Sequence, residues 1–239
     1  SDLGLLAGAY FLGFASLQLP LGSALDRVGP KRVLLILMVL AVTGCVAFAW
    51  AESLPGLVLA RVLTGMGVAA CLMAPLTCFR ARFSVAIQLR TNSWMLMTGS
   101  LGMLASTLPV QWLLPVLGWR GLFLAIAGCL VLAMGLVWAW VPRHSAYAAA
   151  PDGAAVGYGS IVGHPIFLRS MPIGFFIYGG LIAMQSLWAG PWLTRVAGAS
   201  PAAAAGGLFL INLCMLAAFL GWGLLMPRLS ARGVVPHQL

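Results

Sequence analysis

The chain has 239 residues, of which 62% are hydrophobic and only 7% are charged, and its mean hydropathy is +1.03. Soluble domains carry roughly 25% charged residues, so the composition excludes a soluble globular protein. The formal net charge is +9, but the basic residues lie in short segments between apolar runs, which argues against a nucleic-acid-binding surface and for an α-helical membrane protein.

Seven apolar runs are long enough to cross a membrane, because a bilayer core about 30 Å thick needs roughly 20 helical residues at about 1.5 Å each. In chain order the runs cover about 3–25, 33–51, 54–79, 94–117, 119–142, 167–193 and 202–227. They leave no room for a soluble catalytic domain. The expected fold class is therefore an all-α membrane protein with seven visible transmembrane helices.

The basic residues are distributed unequally between the alternate gaps that separate these runs. Ten lie on one side of the predicted membrane: Arg27, Lys31, Arg32, Arg80, Arg82, Arg90, Arg143, Arg169, Arg228 and Arg232. Two lie on the other side, Arg120 and Arg195. Loops rich in Lys and Arg stay in the cytoplasm, so we predict that the ten-residue side is cytoplasmic and that the chain starts outside. Because this outside start lacks a signal peptide, we expect a further helix in front of Ser1.

The first gap, LGSALDRVGPKR at residues 21–32, places four charges between two membrane-length runs. Gly29 allows a tight turn with a positive φ, and Pro30 prevents the preceding helix from continuing. A small residue at Gly22 allows close contact between helices. Asp26, near the membrane edge, can face a helix N-terminus or a basic partner, and this attraction can be made and broken between two conformations.

The spacing of these residues resembles the signature loop G-x-x-x-D-R-x-G-x-K/R-K/R between the second and third helices of the major facilitator superfamily. The matching residues are Gly22, Asp26, Arg27, Gly29, Lys31 and Arg32. The resemblance implies a transporter of six plus six helices, of which the seven runs are the second to eighth, and it implies that this loop takes part in gating. For Lys31 and Arg32, the simpler interpretation that they only fix the topology stays open.

The third run, which contains LVLARVLTGMGVAA, is similar to the fourth-helix pattern R-x-L-x-G-x-G of that family. The matching residues are Arg61, Leu63, Gly65 and Gly67. Arg61 lies about seven residues from the outer end of its span, whereas the other charges lie at span ends or in gaps, and an intramembrane charge is a functional hypothesis by default. A guanidinium suits a carboxylate or a phosphate, so we expect Arg61 to contact either an organic anion or a carboxylate elsewhere in the protein. The alternative, that Arg61 extends to the outer surface, stays open.

Two further segments correspond to the fifth and sixth helices of that family. Gly118, Trp119, Arg120 and Phe123 resemble its external turn between these helices. The antiporters of the family usually carry G-P-x-x-G-G in the fifth helix, whereas the equivalent segment here, TGSLGMLASTLPV, has no Gly-Pro pair. This departure weakens an interpretation as a drug-efflux antiporter.

The longest gap, 143–164, is rich in Ala, Gly, Pro and Ser and is typical of a flexible cytoplasmic linker. It divides the chain into an N-terminal bundle of five visible helices, 1–142, and the first two helices of a C-terminal bundle, 165–239. A weak repeat supports this division. Gly22 lies near the end of the first run and Gly223 near the end of the seventh, and in each an Arg follows five residues later. Parallel repeats of this kind occur in secondary transporters.

The last two runs hold further candidates for contact with a solute. Gln185 and Trp188 lie beside three glycines and Pro191, which permit a bent or broken helix of the kind that frames transporter sites. With Arg61, the substrate and coupling candidates are Tyr178, Gln185, Trp188 and Asn212.

The sequence argues against other classes of function. The five cysteines lie inside apolar runs without metal-binding spacing, and the spans contain no nucleophile–base pair, so we expect neither an enzyme nor a metal or other cofactor. A seven-helix receptor is the alternative from another class, but a retinal protein needs a Lys in its last helix and the only Lys is Lys31. The acidic residues lie at span ends or in gaps: Asp2, Asp26, Glu52 and Asp152. We therefore expect any carboxylate that couples transport to protons at Glu52 or on helices outside this chain.

The expected function is secondary active transport of a small solute by alternating access, with an organic anion coupled to protons as one form. Efflux of drugs or metabolites by a carrier of the same family is the alternative. The expected partners are the solute, the lipid bilayer and protons as coupling ion, with no nucleic acid. The expected state is a monomer in the inner membrane of a bacterium.

Overall fold

A computed structural model describes residues 2–142, 159 and 162–231 of the chain. The helices before residue 143 are α1 (Asp2–Val28), α2 (Pro30–Trp50), α3 (Leu54–Val68), α4 (Ala70–Arg82), α5 (Val85–Ala105) and α6 (Leu108–Trp140). The later helices are α7 (Pro165–Gly174), α8 (Gly180–Ala183), α9 (Ala189–Arg195) and α10 (Pro201–Ala231), with π-helical turns at Phe175–Gly179 and Met184–Trp188. The described residues contain no strand, so the predicted all-α fold class is confirmed.

Six stretches of the described residues are long and apolar enough to cross a membrane: Asp2–Val28, Pro30–Trp50, Leu54–Arg82, Leu108–Trp140, Pro165–Arg195 and Pro201–Leu225. The third joins α3 and α4 across the single residue Ala69, as predicted for the run 54–79. The fourth contains the junction between two predicted runs, because Gly118 interrupts α6 with φ 64° and ψ 171°. The turn predicted at Gly118 is therefore confirmed, and the protein is a multi-pass α-helical membrane protein.

The fourth predicted run, 94–117, differs from the structure. α5 begins upstream of this run, in the polar segment around Arg90, because helix formation by the backbone does not require apolar side chains. α5 ends where the hydroxyls of Ser106 and Thr107 donate hydrogen bonds of 2.7 and 2.6 Å to carbonyl oxygens three residues earlier. Such bonds compete with helical ones, so a turn divides the apolar run into two helices.

α1 and α2 form a hairpin whose turn is a single residue, Gly29. Gly29 has φ 90° and ψ 146°, a conformation that residues with a side chain rarely adopt, so the predicted positive φ is confirmed. Pro30 is the first residue of α2, a position where the helix does not need its missing N–H. Buried apolar residues from α1, α2 and α4 hold the hairpin together: Leu21, Leu25, Val33, Ala70 and Ala74.

α3 packs closely against both α1 and α2 through residues without bulky side chains. A Cβ added to Gly65 would overlap the backbone carbonyl of Tyr10 in α1, and one added to Gly67 would overlap the backbone of Ala41 in α2. Small residues let membrane helices approach until their backbones touch. These glycines therefore fix the position of α3, which carries Arg61, while α6 packs against α2.

The chain forms two compact units, one of residues 1–147 with 209–239 and one of residues 148–208. In the second unit, Gly198 turns the chain after α9 with φ 67°. A Cβ added to Gly207 would lie 3.4 Å from a methyl group of Leu193, so the start of α10 packs against α9.

The predicted division into 1–142, 143–164 and 165–239 stays a prediction. Most of the predicted linker lies outside the described residues. The side chain of Arg228, which belongs to the predicted repeat, also lies outside the described part of the chain.

Candidate functional site

The signature-like loop leaves Asp26, Arg27 and Arg32 exposed at the end of the α1–α2 hairpin. A Cβ added to Gly22 meets no atom within 4 Å, so the close helix contact expected at Gly22 does not occur among the described residues. Close glycine contacts join α3 to α1 and α2 instead, at Gly13, Gly44, Gly65 and Gly67. The gating role of the loop stays a prediction.

Lys31 makes a contact that its position in the loop does not reveal. Its Nζ donates hydrogen bonds to the carbonyl oxygen of Trp138, at 2.8 Å, and to that of Val141. Trp138 belongs to the last turn of α6 and Val141 is the residue directly after it, where carbonyls lack helical partners and the partial charge is negative. Lys31 therefore caps the C-terminal end of α6. A residue that only fixed the topology would not need this contact.

Two segments that carry several basic residues, 26–32 and 80–92, are called the basic loops, and they lie at the same end of the helices. Lys31, at the start of α2, and Arg82, at the end of α4, both line one cavity of about 290 Å³. The predicted placement of both basic loops on one face is therefore confirmed. We call this face the basic-loop end.

Arg61 lies against two aromatic rings from neighbouring helices. Its guanidinium carbon is 4.8 Å from the ring centroid of Phe48 in α2 and 5.0 Å from that of Phe123 in α6. Both distances are inside the range of about 6 Å in which a ring face attracts a cation. Arg61 is half-buried, and its Nε has no hydrogen-bond partner among the described residues. α3 thus holds a charged group between the helices.

Phe48, Trp119 and Phe123 form a group that we call the aromatic cluster. The ring centroids of Phe48 and Phe123 are 4.2 Å apart, and those of Phe48 and Trp119 are 5.6 Å apart in an edge-to-face arrangement. The guanidinium carbon of Arg120 is 4.3 Å from the Trp119 ring, and its Nε donates a 3.0 Å hydrogen bond to the carbonyl oxygen of Ala49. Arg120 thereby bonds the last turn of α2, as Lys31 bonds that of α6.

The surroundings of Arg61 suit the binding of an anion. A guanidinium carries five N–H donors at the edge of a plane and bonds a carboxylate through two parallel N–H groups. Aromatic rings supply no strong acceptor for these donors.

Within the part of the chain that is described, no group of His, Cys, Asp and Glu side chains could hold a metal ion.

Gln185 and Trp188 lie in the π-helical turn Met184–Trp188. Gln185 is half-buried and Trp188 is exposed. The helix predicted to bend or break here stays continuous, because the π-helical turn is followed directly by α9. Single π-helical turns are frequent at functional sites, so this finding keeps both residues as candidates.

The remaining predicted candidates are Tyr178 and Asn212. Tyr178 lies in the other π-helical turn, Phe175–Gly179, and its side chain is outside the described part. Asn212 in α10 is 7% exposed, and its Oδ1 has no hydrogen-bond partner among the described residues. A buried amide oxygen of this kind is available to a donor group of a solute.

An open cavity of about 940 Å³ between α4 and α5 contains residues that the sequence reasoning did not single out as a group. Arg90, Trp94 and Thr98 line it from α5, where residues four apart share one helix face. From the sequence, Arg90 is expected only to fix the topology. The four-residue spacing was the signal that could have identified this face.

The protein is a multi-pass membrane protein with glycine turns at Gly29 and Gly118. Its third helix holds the half-buried Arg61 between neighbouring helices. The sequence matches the Major Facilitator Superfamily over residues 1–236. Because the match covers almost the whole chain, the protein belongs to that superfamily. The predicted membership of this family is therefore confirmed.

Two curated transporters are similar to parts of the chain. The 4-hydroxybenzoate transporter PcaK of Acinetobacter baylyi is 31% identical over 143 residues, which are 60% of this chain and 31% of that protein. The probable L-galactonate transporter of Escherichia coli is 24% identical over 199 residues, which are 79% of this chain and 41% of that protein. The chain thus spans less than half the length of these relatives.

Proposed function

We propose that the protein is a secondary transporter that moves a small organic anion across the membrane by alternating access between two helix bundles. Membership of the superfamily and the names of both relatives, which are transporters, support transport rather than catalysis. The choice of an anion rests on Arg61, which lies against the aromatic cluster with a buried Nε that has no hydrogen-bond partner among the described residues.

The free energy of the Arg61 charge favours an anionic solute. An aromatic ring attracts a guanidinium by about 0.5–2 kcal/mol, which offsets only part of the free energy needed to remove a charge from water. The N–H groups of Arg61 still need acceptors, and a carboxylate provides two of them in the matching plane. A solute carboxylate at this position would therefore satisfy a charge that is unfavourable when the solute is absent.

The names of the relatives support the same class of solute. 4-Hydroxybenzoate and L-galactonate are both carboxylates, although one has an aromatic ring and the other has a chain of hydroxyl groups. The carboxylate is the group that they share, and a guanidinium binds it well. The proposed solute is therefore an organic monocarboxylate.

Proton coupling, location and assembly belong to the same proposal. Glu52 is exposed in the turn between α2 and α3, close in sequence to Phe48 of the aromatic cluster. This position supports Glu52 as the acidic residue of this chain that takes part in proton coupling. Both relatives come from bacteria, and ten basic residues lie on one predicted face. We therefore propose a monomer in the inner membrane, with this face in the cytoplasm.

Uptake into proteoliposomes tests the proposal. Initial rates are measured with radiolabelled 4-hydroxybenzoate and L-galactonate, with and without a proton gradient, for the wild type, Arg61→Ala and Arg61→Lys. Arg120→Ala is the matched control, because it removes an arginine from the same end of the helices. We expect uptake of at least one carboxylate, driven by the gradient. Arg61→Ala should lower its rate by about tenfold or more, since hydrogen bonds to a charged group contribute about 1.5–3 kcal/mol.

The lysine variant separates the planar fork from the charge. Arg61→Lys keeps the charge and loses the fork, so it should impair uptake nearly as much as Arg61→Ala. A full rate in Arg61→Lys would mean that any positive charge is sufficient. A full rate in Arg61→Ala would mean that Arg61 does not contact the solute, and equal uptake without a gradient would contradict proton coupling.

A further inference from the structure

The cavity of about 290 Å³ at the basic-loop end is lined by apolar and basic side chains. Its walls come from α2, α4 and α6, and most of the lining is apolar, including Leu34, Ala74, Cys78, Phe79, Val137 and Trp140. The charged residues in the lining are Lys31 and Arg82. Among the described residues, no acidic side chain lines the cavity.

Lys31 is held in this lining by its bonds to the last turn of α6. An ammonium group has three N–H donors, so two fix the position of Lys31 and the third can bond an oxygen of a ligand. A smaller adjoining cavity includes Arg32 and shares Lys31 and Cys78 with the larger one. Three basic side chains therefore line the two adjoining cavities, and Lys31 belongs to both.

The cavity lies where a membrane has its headgroups. Lys31 is the second residue of α2 and Arg82 is the last residue of α4, so both lie at the ends of predicted spans. The headgroup layers begin where the apolar spans end. An apolar hollow bordered by cations at this depth combines the two features that a phospholipid offers, an acyl chain and a phosphate.

We propose that this cavity binds an anionic phospholipid, with one acyl chain in the apolar hollow and the phosphate at Lys31, Arg32 and Arg82. Basic pockets between membrane helices on the cytoplasmic side suit anionic headgroups, and burial of an acyl chain covers the apolar lining. A free phosphate would leave the lining uncovered, and a lipid without net charge would bring no net negative charge to the basic residues. The bound lipid joins the signature-like loop to the ends of α4 and α6.

Native mass spectrometry of the purified protein tests the charge requirement. Phosphatidylglycerol and phosphatidylcholine with identical acyl chains are titrated, and bound lipids are counted. Each Lys or Arg near an anionic lipid contributes about 1 kcal/mol, or about fivefold in affinity, so phosphatidylglycerol should bind at least about fivefold more tightly. Arg82→Gln should lower its affinity about fivefold. Arg80→Gln is the matched control, because Arg80 is exposed on the same helix and is not part of the lining.

Cys78 provides a second measurement that needs no variant. It is half-buried and lines both cavities, whereas the exposed Cys129 lines neither. Labelling with a membrane-permeant maleimide is followed for each cysteine by peptide mass spectrometry. Phosphatidylglycerol should slow the labelling of Cys78 about fivefold relative to Cys129, and phosphatidylcholine or inorganic phosphate should not.

Four results would overturn the proposal. Equal affinities for the two lipids, or equal effects of Arg82→Gln and Arg80→Gln, would remove the role of the basic lining. Protection of Cys78 by inorganic phosphate alone would make the cavity a site for a free anion. Labelling of Cys78 that does not respond to phosphatidylglycerol would mean that another part of this chain covers the cavity, for example residues 143–158.

Discussion

The last carbonyl groups of α2 and α6 are bonded by a basic residue of the other helix. At the basic-loop end, Lys31 in α2 bonds the carbonyl oxygens of Trp138 and Val141 at the C-terminal end of α6. At the opposite end, Arg120 in α6 bonds the carbonyl oxygen of Ala49 in α2. These carbonyls lack helical partners and carry partial negative charge, so each helix stabilises the end of its neighbour.

The two ends differ in what surrounds these residues. At the Arg120 end, the aromatic cluster fills the space and holds Arg61 by contact with its rings. At the Lys31 end, apolar side chains leave an open cavity beside Arg82. The Arg120 end therefore holds a second cation, Arg61, between the helices. The Lys31 end has its second cation, Arg82, at the membrane edge. The packing around a basic residue, and not its charge alone, determines what it can bind.

Removal of the Phe48 ring should have the largest effect on this difference, because it would open the filled end. Phe48 is 6% exposed, and Phe48→Ala should lower the free energy of unfolding by about 3 kcal/mol. Carboxylate uptake should also fall, because Arg61 loses one of its two rings. Phe176→Ala is the control, since Phe176 is 73% exposed. Thermal unfolding and uptake are measured for both, and equal losses would show that the aromatic cluster has no special role.

Loss of the cap at the open end should have a smaller effect. Lys31→Met keeps a long apolar side chain and removes both bonds to α6, so it should lower the free energy of unfolding by about 1 kcal/mol. For a protein of this size the melting temperature should fall by roughly 2–4 °C. Arg32→Met is the control, because Arg32 is exposed and this substitution removes an equal charge. If both variants lower the melting temperature equally, Lys31 contributes only its charge.

Loss of the cap at the filled end should have the smallest effect. Arg120 makes one carbonyl bond where Lys31 makes two, and Arg120 is exposed. Arg120→Gln should therefore lower the free energy of unfolding by about 0.5 kcal/mol, which differential scanning fluorimetry can compare with Lys31→Met under the same conditions. A larger loss in Arg120→Gln than in Lys31→Met would reverse the order of the two caps.

The membrane spans and the two glycine turns could be predicted because their causes are local. A run of apolar residues predicts a span wherever it occurs, and Gly29 and Gly118 adopt positive φ values that other residues avoid. The start of α5 was less predictable, since the polar segment around Arg90 forms helix without an apolar signal. Local chemistry thus predicts where helices turn better than where they begin.

The contacts of the basic residues could not be predicted because their partners are distant in sequence. Lys31 bonds Trp138, which is 107 residues away, and Arg61 meets rings from two other helices. The sequence indicated that Arg61 was important, because a charge inside a span is costly. The sequence contained no signal for the contact of Arg61 with the Phe48 and Phe123 rings, because this contact depends on how α2, α3 and α6 pack.

Contact between Arg61 and a solute carboxylate is the central claim. The most direct test is the binding preference of the wild type and Arg61→Ala for the best-transported carboxylate over its neutral amide, measured by calorimetry. Hydrogen bonds to a charged group contribute about 1.5–3 kcal/mol, so the wild type should prefer the carboxylate by roughly 10- to 100-fold. Arg61→Ala should bind both compounds with similar affinity. If Arg61→Ala keeps the full preference for the carboxylate, Arg61 does not bind the solute and the account is contradicted.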